Sequence, residues 1–342
     1  MCEKMDVIIA SEASNRYIDQ LVESLSESKK VRSVKNSVAR FWRQKSDADI
    51  VHIQWPEGLF DWNQPKLWEL AWLEEKLERW SSQASIVTTV HNYSPHGIDE
   101  CDDLYEMTYK MSDGIVHLGE KSRQFFFDEY SFAAEKKHSV IPHGNYTCFP
   151  NEISKKDARN CLGIEGGESV ILCFGEIRHP EERDLLIEAF DQLELSKKRL
   201  LIAGRISPPS RLSLTYWRLR YDPRFLVEEG WIPDKEVQLY LNAADTLVIP
   251  RHGVLNSGNV ALGFTFGRVV VGPDEGVIGE VLGETGNPVY KPGDDKALAR
   301  AIEEARSIHH NMGGKNKEYA MEKMKWRSIS SSHLSFYKRV LK

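Results

Sequence analysis

Residues Pro250–Gly279 read PRHGVLNSGNVALGFTFGRVVVGPDEGVIG. The apolar run Thr246–Pro250 leads into a polar turn that carries Asn256, Ser257 and Gly258. An apolar helical segment, Val260–Phe266, follows, then Gly267 and a second apolar run, Val269–Val271. The order is strand, small-residue turn, helix, strand. A helix that starts at Asn-Ser-Gly presents unpaired backbone N–H groups and the positive end of its dipole. Small residues there let an anion come close, and a diphosphate is the usual guest. The same residues also make an ordinary helix cap, so the rest of the chain decides between the two.

Outward from this stretch, strands and helices alternate. In the second half, strands at Ser169–Phe174, Leu200–Ala203 and Thr246–Pro250 alternate with helices at Glu182–Leu193, Asp234–Ala243 and Lys296–Arg306. The first 148 residues show the same alternation. Strands are expected at Val7–Ala10, Asp49–Gln54, Ile86–Val90, Gly114–Leu118 and Ser139–Pro142, with helices at Asn15–Leu25, Gln64–Ser81, Asp102–Met111 and Glu120–Glu129. Short apolar strands separated by helices are the signature of a doubly wound parallel sheet. His143–Glu168 is polar and irregular apart from a helix near Lys155–Leu162, and reads as the connection between two domains. Lys315–Lys342 reads as helical, with Trp326, Ile329, Phe336, Tyr337 and Val340 as its apolar face.

Bulk properties narrow the class. The 342 residues suffice for two domains, and the net charge of −6 argues against a general nucleic-acid binder. Five scattered cysteines with no Cys-x-x-Cys pair suit a reducing compartment and point to neither a disulfide framework nor a zinc site. No signal peptide or spanning segment is read, so a cytoplasmic protein is expected. Neither half carries Gly-x-Gly-x-x-Gly or a phosphate loop, which weighs against dinucleotide oxidoreductases and phosphate-loop ATPases. Lys29–Lys45 holds seven basic residues and no acid, with Val31, Val34, Val38, Phe41 and Trp42 at roughly helical spacing. Two readings stand for it: peripheral contact with an anionic membrane through residues 29–45, on the inner face, or a strand and helix with a solvated basic face.

In an open parallel sheet, ligands bind beyond the carboxyl ends of the strands. The polar groups at those ends in the first half are His52, Gln54, Trp55 and Glu57, then His91, Asn92 and His96, then His143 and Asn145. Those in the second half are Gly175–Arg178, Gly204-Arg205, and Arg251 to Asn259. Imidazoles, amides and a carboxylate suit acid/base work and hydroxyl recognition; arginines beside a helix start suit a phosphate. Trp55 and Trp62 sit in a loop, where a flat aromatic face fits either a sugar ring or a buried anchor. His117 lies inside its strand and reads as structural, and the acids Asp99, Glu100, Asp102 and Asp103 read as a decorated helix start.

These residues resemble a known group. IPHGNY (Ile141–Tyr146), FGEIR and LLIEAF (Phe174–Arg178, Leu185–Phe190), LLIAGR (Leu200–Arg205), GWIPDKEVQLYLNAADTLVIP (Gly230–Pro250), LNSG (Leu255–Gly258), FGRVVVGPDEG (Phe266–Gly276) and GEV (Gly279–Val281) carry the resemblance. They are similar to the donor domain of GT-B glycosyltransferases, nearest to glycosyltransferase family 4-like bacterial polysaccharide enzymes. HIQWPE and TVHN look like the family's segments in the first domain. The resemblance implies an α/β fold of two Rossmann-like parallel-sheet domains facing across a cleft. These would be an acceptor-side domain at residues 1–148, a nucleotide-sugar donor domain at residues 149–318, and a helix at 319–342 crossing back to the first domain.

The implied activity is transfer of a sugar from a UDP- or GDP-linked donor to a hydroxyl of a glycan or lipid-linked glycan. The resemblance puts the diphosphate on Ser257, Gly258 and Asn259 with Arg178 or Arg205 nearby, and the nucleoside near Gly204, Trp231 and Ile232. It puts His91 near the transferring sugar. His91, His52 and Glu57 are then the catalytic candidates, and Trp55, Asn92 and His143 the acceptor-side ones. No bound metal or other cofactor is implied, because the dipole and basic groups stabilise the leaving diphosphate. The chain also departs from the family. Two glutamates expected around the helix start are Val254 and Leu262, a usual Lys-Gly pair is Glu181-Glu182, and an arginine is Glu176. Arg178 and Arg183 are candidates to compensate. The departures fit a divergent transferase or a chain that has become a non-catalytic partner in polysaccharide assembly; a nucleotide-sugar epimerase shares the architecture.

Overall fold

The structure is a computed structural model, and it describes residues 4–11, 15–44, 47–93 and 102–342. The chain divides into two compact units, Met1–Gly144 with Lys323–Lys342, and Asn145–Glu322.

The first unit is a six-stranded sheet in the order β2-β1-β3-β4-β5-β6, every pair parallel. Its strands are β1 (Met5–Ala10), β2 (Val31–Asn36), β3 (Ile50–Ile53), β4 (Ser85–Val90), β5 (Gly114–His117) and β6 (Lys137–Val140). The helices are α1 (Arg16–Ser26), α2 (Val38–Arg43), α3 (Leu67–Ser81), α4 (Asp102–Met111) and α5 (Glu120–Glu129), with α13 (Trp326–Val340) added from the end of the chain. Strands β3, β4 and β5 are buried at every position, as parallel strands covered on both faces must be. Trp326, Ile329, Phe336, Tyr337 and Val340 of α13 are buried against Ile9, Ile18, Leu21 and Val87. Polar ties hold α13 there: Ser24 Oγ donates to Ser330 Oγ at 2.8 Å, and Ser85 Oγ donates to the Val340 carbonyl at 2.8 Å.

The second unit is also a six-stranded parallel sheet, in the order β12-β11-β10-β7-β8-β9. Its strands are β7 (Ser169–Phe174), β8 (Lys198–Gly204), β9 (Phe225–Glu229), β10 (Thr246–Val248), β11 (Val269–Pro273) and β12 (Val289–Tyr290). The helices are α6 (Lys155–Cys161), α7 (Pro180–Gln192), α8 (Leu214–Tyr221), α9 (Asp234–Ala243), α10 (Gly258–Thr265), α11 (Gly276–Thr285) and α12 (Asp295–Glu322). The strand order reverses between β7 and β10, so the loops leaving those two strands diverge and open a crevice. The first unit reverses in the same way between β1 and β3.

The segment 29–45 takes the second of its two readings, a strand and a helix. It is strand β2 followed by helix α2, and Val31, Val38 and Phe41 are buried in the unit. Val34 and Trp42 are partly buried, and Lys45 lies outside the described residues. The pattern missed how far α12 runs, because Gly313 and Gly314 look like a stop. A Cβ on Gly313 would overlap the Gly267 carbonyl, so the glycine is there to let the helix pass close to that turn. No helix among the described residues is long and apolar enough to cross a membrane.

Within the first unit, Gly144 lies flat against the Trp326 indole, and a Cβ there would overlap the ring. Gly144→Ala is expected to cost about 1–3 kcal/mol by overpacking. Urea unfolding of the whole chain checks this: an unchanged midpoint for the first unit's transition would show that α13 is held some other way.

Candidate functional site

The site of the first unit grows from the ends of β3 and β4. His52 and Gln54 flank the end of β3, and His91 and Asn92 follow β4 directly. His52 is fully buried, with Nδ1 at 2.7 Å from the Tyr337 hydroxyl and Nε2 at 2.7 Å from Thr89 Oγ1. The Gln54 amide links the two histidines: its Nε2 lies 3.1 Å from His52 Nε2 and its Oε1 lies 2.9 Å from His91 Nε2. Gln54 Nε2 also lies 3.4 Å from His52 Nδ1, and the Tyr337 and Thr89 hydroxyls can each donate or accept, so the network admits either His52 tautomer. Gln54 Oε1 accepts, so His91 carries its proton on Nε2. The His91 ring stacks on Trp55 with centroids 4.1 Å apart, and Tyr17 meets it edge-on at 5.5 Å. Tyr17 also touches His143 at 4.8 Å and Trp326 at 5.5 Å.

Beside this cluster, Glu57 is fully buried on the 3-10 turn Pro56–Phe60. The Tyr105 hydroxyl donates to Glu57 Oε2 at 2.8 Å, and Asn92 Nδ2 donates to Oε1 at 3.3 Å. Burial first, and then the Glu57 charge, raise Tyr105 well above the usual phenol range, so Tyr105 stays a donor. Burial drives the histidines of this unit the other way. His52 is held well below its ordinary value by burial, with His333 and His91 adding to the effect. Burial lowers His143 to about 4 and His333 to about 3. His117 falls to about 3 through burial and the neighbouring His138, whose Nδ1 is 3.0 Å from His117 Nε2. His333 Nδ1 is buried with no hydrogen-bond partner among the described residues.

In the second unit, the crevice between β7 and β10 is closed at its base by small residues. Ser257 caps α10, its Oγ accepting from the Asn259 N–H at 3.3 Å. Asn259 Nδ2 donates to the Phe174 carbonyl at 2.7 Å and so ties the helix start to the end of β7. Gly204, with φ +144°, packs on Gly175, where any Cβ would overlap the Gly175 carbonyl. Gly230 N–H donates to the Gly204 carbonyl at 3.0 Å, which brings Trp231 and Ile232 to the same strand end. Trp231 is 71% exposed, whereas Ile232 is buried. Arg251 Nη2 donates to the Glu176 carbonyl at 2.9 Å. Burial first, and then the Arg178 charge, disfavour the Arg251 cation. Glu182 and Glu176 act on Arg251 in the opposite sense, so carboxylates already lie near the two guanidinium groups.

The structure brings most sequence candidates together within each unit. His91, His143 and Trp55 converge on Tyr17, and Asn92 joins Glu57. Arg178, Ser257, Gly258 and Asn259 share the β7–β10 crevice, and Gly204, Trp231 and Ile232 the neighbouring strand end. Arg205 is exposed, and its carbonyl accepts from the Ile177 N–H at 2.9 Å. Three candidates are enclosed by hydrogen bonds. His52 is buried with both ring nitrogens engaged, by Tyr337 and Thr89. Glu57 has both oxygens occupied and no exposure, a position that holds Asn92 and Tyr105 in place. Arg183 is buried on Asp184 and the Ser207 carbonyl, and is not free to replace a lost phosphate contact. His96, Asp99 and Glu100 lie outside the described residues.

The departures from the family pattern also find physical accounts. Glu182 is buried and accepts from the Arg178 N–H at 2.8 Å, so its charge caps a turn. Glu176 Oε2 is 3.4 Å from Arg178 Nε. Val254 and Leu262 are buried apolar residues. Tyr17 and Tyr105 were not singled out from the sequence, whereas Arg251 stood there among the strand-end polar groups. Tyr17 sat on a helical stripe that looked like ordinary core, and nothing local distinguishes Tyr105 from its neighbours on α4.

Residues 168–307 match the family described as Glycosyl transferases group 1. No curated protein sequence matches the chain. Among solved structures, sucrose-phosphate synthase from Thermosynechococcus elongatus is similar at a TM-score of 0.71 and 16% identity, with 99% of each chain covered. Anabaena HepE in complex with UDP and glucose is similar at 0.72 and 12% identity, over 98% of this chain and 100% of that one. A glycosyltransferase from Rickettsia africae is similar at 0.69 and 14% identity, with both chains fully covered. The chain has the GT-B fold of these structures, and its residues 168–307 match the group 1 family.

The buried neutral histidines generate a prediction about acid. Their folded values lie below the ordinary 6.5, so below pH 6.5 the unfolded chain binds protons that the folded one refuses. Stability of the first unit is therefore complete well above pH 6.5 and is lost as pH falls towards about 4, with a slope that approaches about 1.4 kcal/mol per pH unit for each buried imidazole. Calorimetry between pH 7 and pH 5, a window spanning the ordinary 6.5, should show the first unit's transition falling ahead of the second's. His333→Leu should shrink that fall; an equal fall in the variant would remove His333 from the account.

Proposed function

We propose that the protein transfers a sugar from a nucleoside diphosphate sugar, UDP- or GDP-linked, to a hydroxyl of a glycan or lipid-linked glycan acceptor. The observation that carries this reading is the β7–β10 crevice. There Asn259 ties the start of α10 to β7, and Arg178 and Arg251 lie at the same strand ends. That HepE was solved with UDP and glucose and with UDP-glucose supports a donor of this class.

In this reading the diphosphate lies on the N–H groups of Ser257, Gly258 and Asn259, where the dipole and the guanidinium groups of Arg178, Arg251 and Arg205 offset its charge. As the glycosidic bond breaks, charge grows on the leaving diphosphate, and these fixed donors gain strength at that moment. This neutralisation needs no resident metal. The nucleoside takes the Gly204, Trp231 and Ile232 strand end, with the exposed Trp231 ring as a stacking face.

The acceptor-side groups are His91, Trp55, Asn92 and His143. His91 offers a stacked ring whose tautomer Gln54 fixes, which suits hydrogen bonding to a sugar hydroxyl. Glu57 is a positioning residue. Since a carboxylate with both oxygens occupied is a poor general base, the arrangement favours retention of anomeric configuration over inversion.

Calorimetric titration with UDP and GDP, alongside mass spectrometry of products from a mixed donor pool, tests the reading. Arg178→Ala and Arg251→Ala should each weaken nucleotide binding roughly ten- to hundredfold. His91→Ala should leave UDP or GDP affinity intact while lowering transfer. Absence of binding to every uridine and guanosine diphosphate compound would overturn the donor assignment. Binding with release of an epimerised free donor, and no need for an acceptor, would replace transfer with epimerisation.

A further inference from the structure

Helix α8 of the second unit turns its apolar residues outward. None of its eight residues is buried. Leu214, Trp217 and Tyr221 stand at a spacing that puts them on one helix face, and they are 75%, 51% and 65% exposed. Leu212, just before the helix, is 95% exposed. Trp217 and Tyr221 stack with ring centroids 5.5 Å apart, so the aromatic part of this stripe is already ordered. The other side of α8 anchors it. Leu219 packs on the unit's core, Arg218 pairs with Asp191 at 2.6 Å and lies over the Phe225 ring, and Ser213 caps the first turn. The outward stripe therefore belongs to a helix held in place.

Charge identifies what covers it. Residues 205–224 contain five arginines and one acid, Asp222, in a chain whose net charge is −6. Arg218 and Arg224 are engaged by Asp191 and Asp222. Arg211 and Arg220 are exposed and form no ion pair among the described residues. A second copy seated on this face through a two-fold axis would bring arginine against arginine. A bilayer with anionic headgroups matches both features, since arginines reach lipid phosphates, indole and phenol rings settle at headgroup level, and leucines enter the acyl boundary. Helix α3 of the first unit also exposes Leu67, Trp68 and Trp72, but residues 61–79 hold five acids against three bases, the sign that such a surface repels.

We propose that Arg211–Tyr221 is a membrane-docking surface, with Leu212, Leu214, Trp217 and Tyr221 entering the interface of an anionic bilayer and Arg211 and Arg220 contacting its lipid phosphates. This assignment stands apart from the sugar-transfer reading. Arg205 is left out of it because that residue belongs to the donor site.

Co-sedimentation of the whole chain with vesicles of phosphatidylglycerol and phosphatidylcholine in equal parts, and with phosphatidylcholine alone, tests the proposal. The wild type should bind the anionic vesicles, less so as salt rises, and should bind the neutral ones weakly. Arg211→Gln with Arg220→Gln should weaken binding roughly thirtyfold. Leu212→Ser with Trp217→Ser and Tyr221→Ser should abolish it, and Leu67→Ser with Trp68→Ser should leave it unchanged. Thermal unfolding of each variant controls for folding, and if the triple variant is destabilised the arginine pair decides. The proposal is overturned if the wild type does not bind anionic vesicles, binds neutral ones equally well, or loses as much through Leu67 and Trp68 as through α8. It is overturned as well if light scattering shows a dimer that the α8 variants dissociate while no vesicle is bound.

Discussion

A parallel sheet must return its chain across one face or the other, and where consecutive returns change face the strand ends are left uncovered. Everything in the second unit is arranged around that gap between β7 and β10. The Asn259 amide spans it by bonding the Phe174 carbonyl. Gly204 and Gly175 let the backbones of β8 and β7 meet closely enough to close its side. Glu182 spends its carboxylate on the turn that carries Arg178. The crevice is thus built mostly from backbone and short polar side chains, with the Arg251 guanidinium held on the Glu176 carbonyl. Such a site is pre-organised for a charged group and has little apolar surface with which to prefer one base over another.

The first unit solves a different problem. Its strand ends carry imidazoles, and the unit buries them in a relay: Tyr337, His52, Gln54, His91. Each member fixes the orientation of the next, and His91, at the end of the relay, is itself buried. The cost is a group of neutral histidines that acid will charge in the unfolded chain. Trp55 and Tyr17 then wall the His91 ring on two sides.

Much of this was legible in the sequence, for identifiable reasons. Fully buried parallel strands such as Ile50–Ile53 and Ile86–Val90 announce themselves as apolar runs, and Asn256-Ser257-Gly258 announces a helix start. What was hidden depends on distance in sequence. His52 and His91 look alike as strand-end histidines, and the tie of His52 to Tyr337, 285 residues away, is invisible in the local sequence. Glu57 resembles a general base until Tyr105 occupies its second oxygen. Residues 29–45 read equally as a basic amphipathic surface or as a strand and a helix, and the core takes Val31, Val38 and Phe41. Helix α8 escaped notice for the converse reason. Its apolar residues face out, so no helical stripe aligned with a core.

The contribution of α13 to the first unit has a consequence for biosynthesis. Trp326, Phe336 and Tyr337 fill the core beneath β1 and β3, yet they are translated only after the entire second unit has been made. The second unit is contiguous in the chain and can close while synthesis continues, whereas the first must wait on the ribosome with part of its sheet bare. The part of the chain that emerges first is therefore the part that finishes folding last.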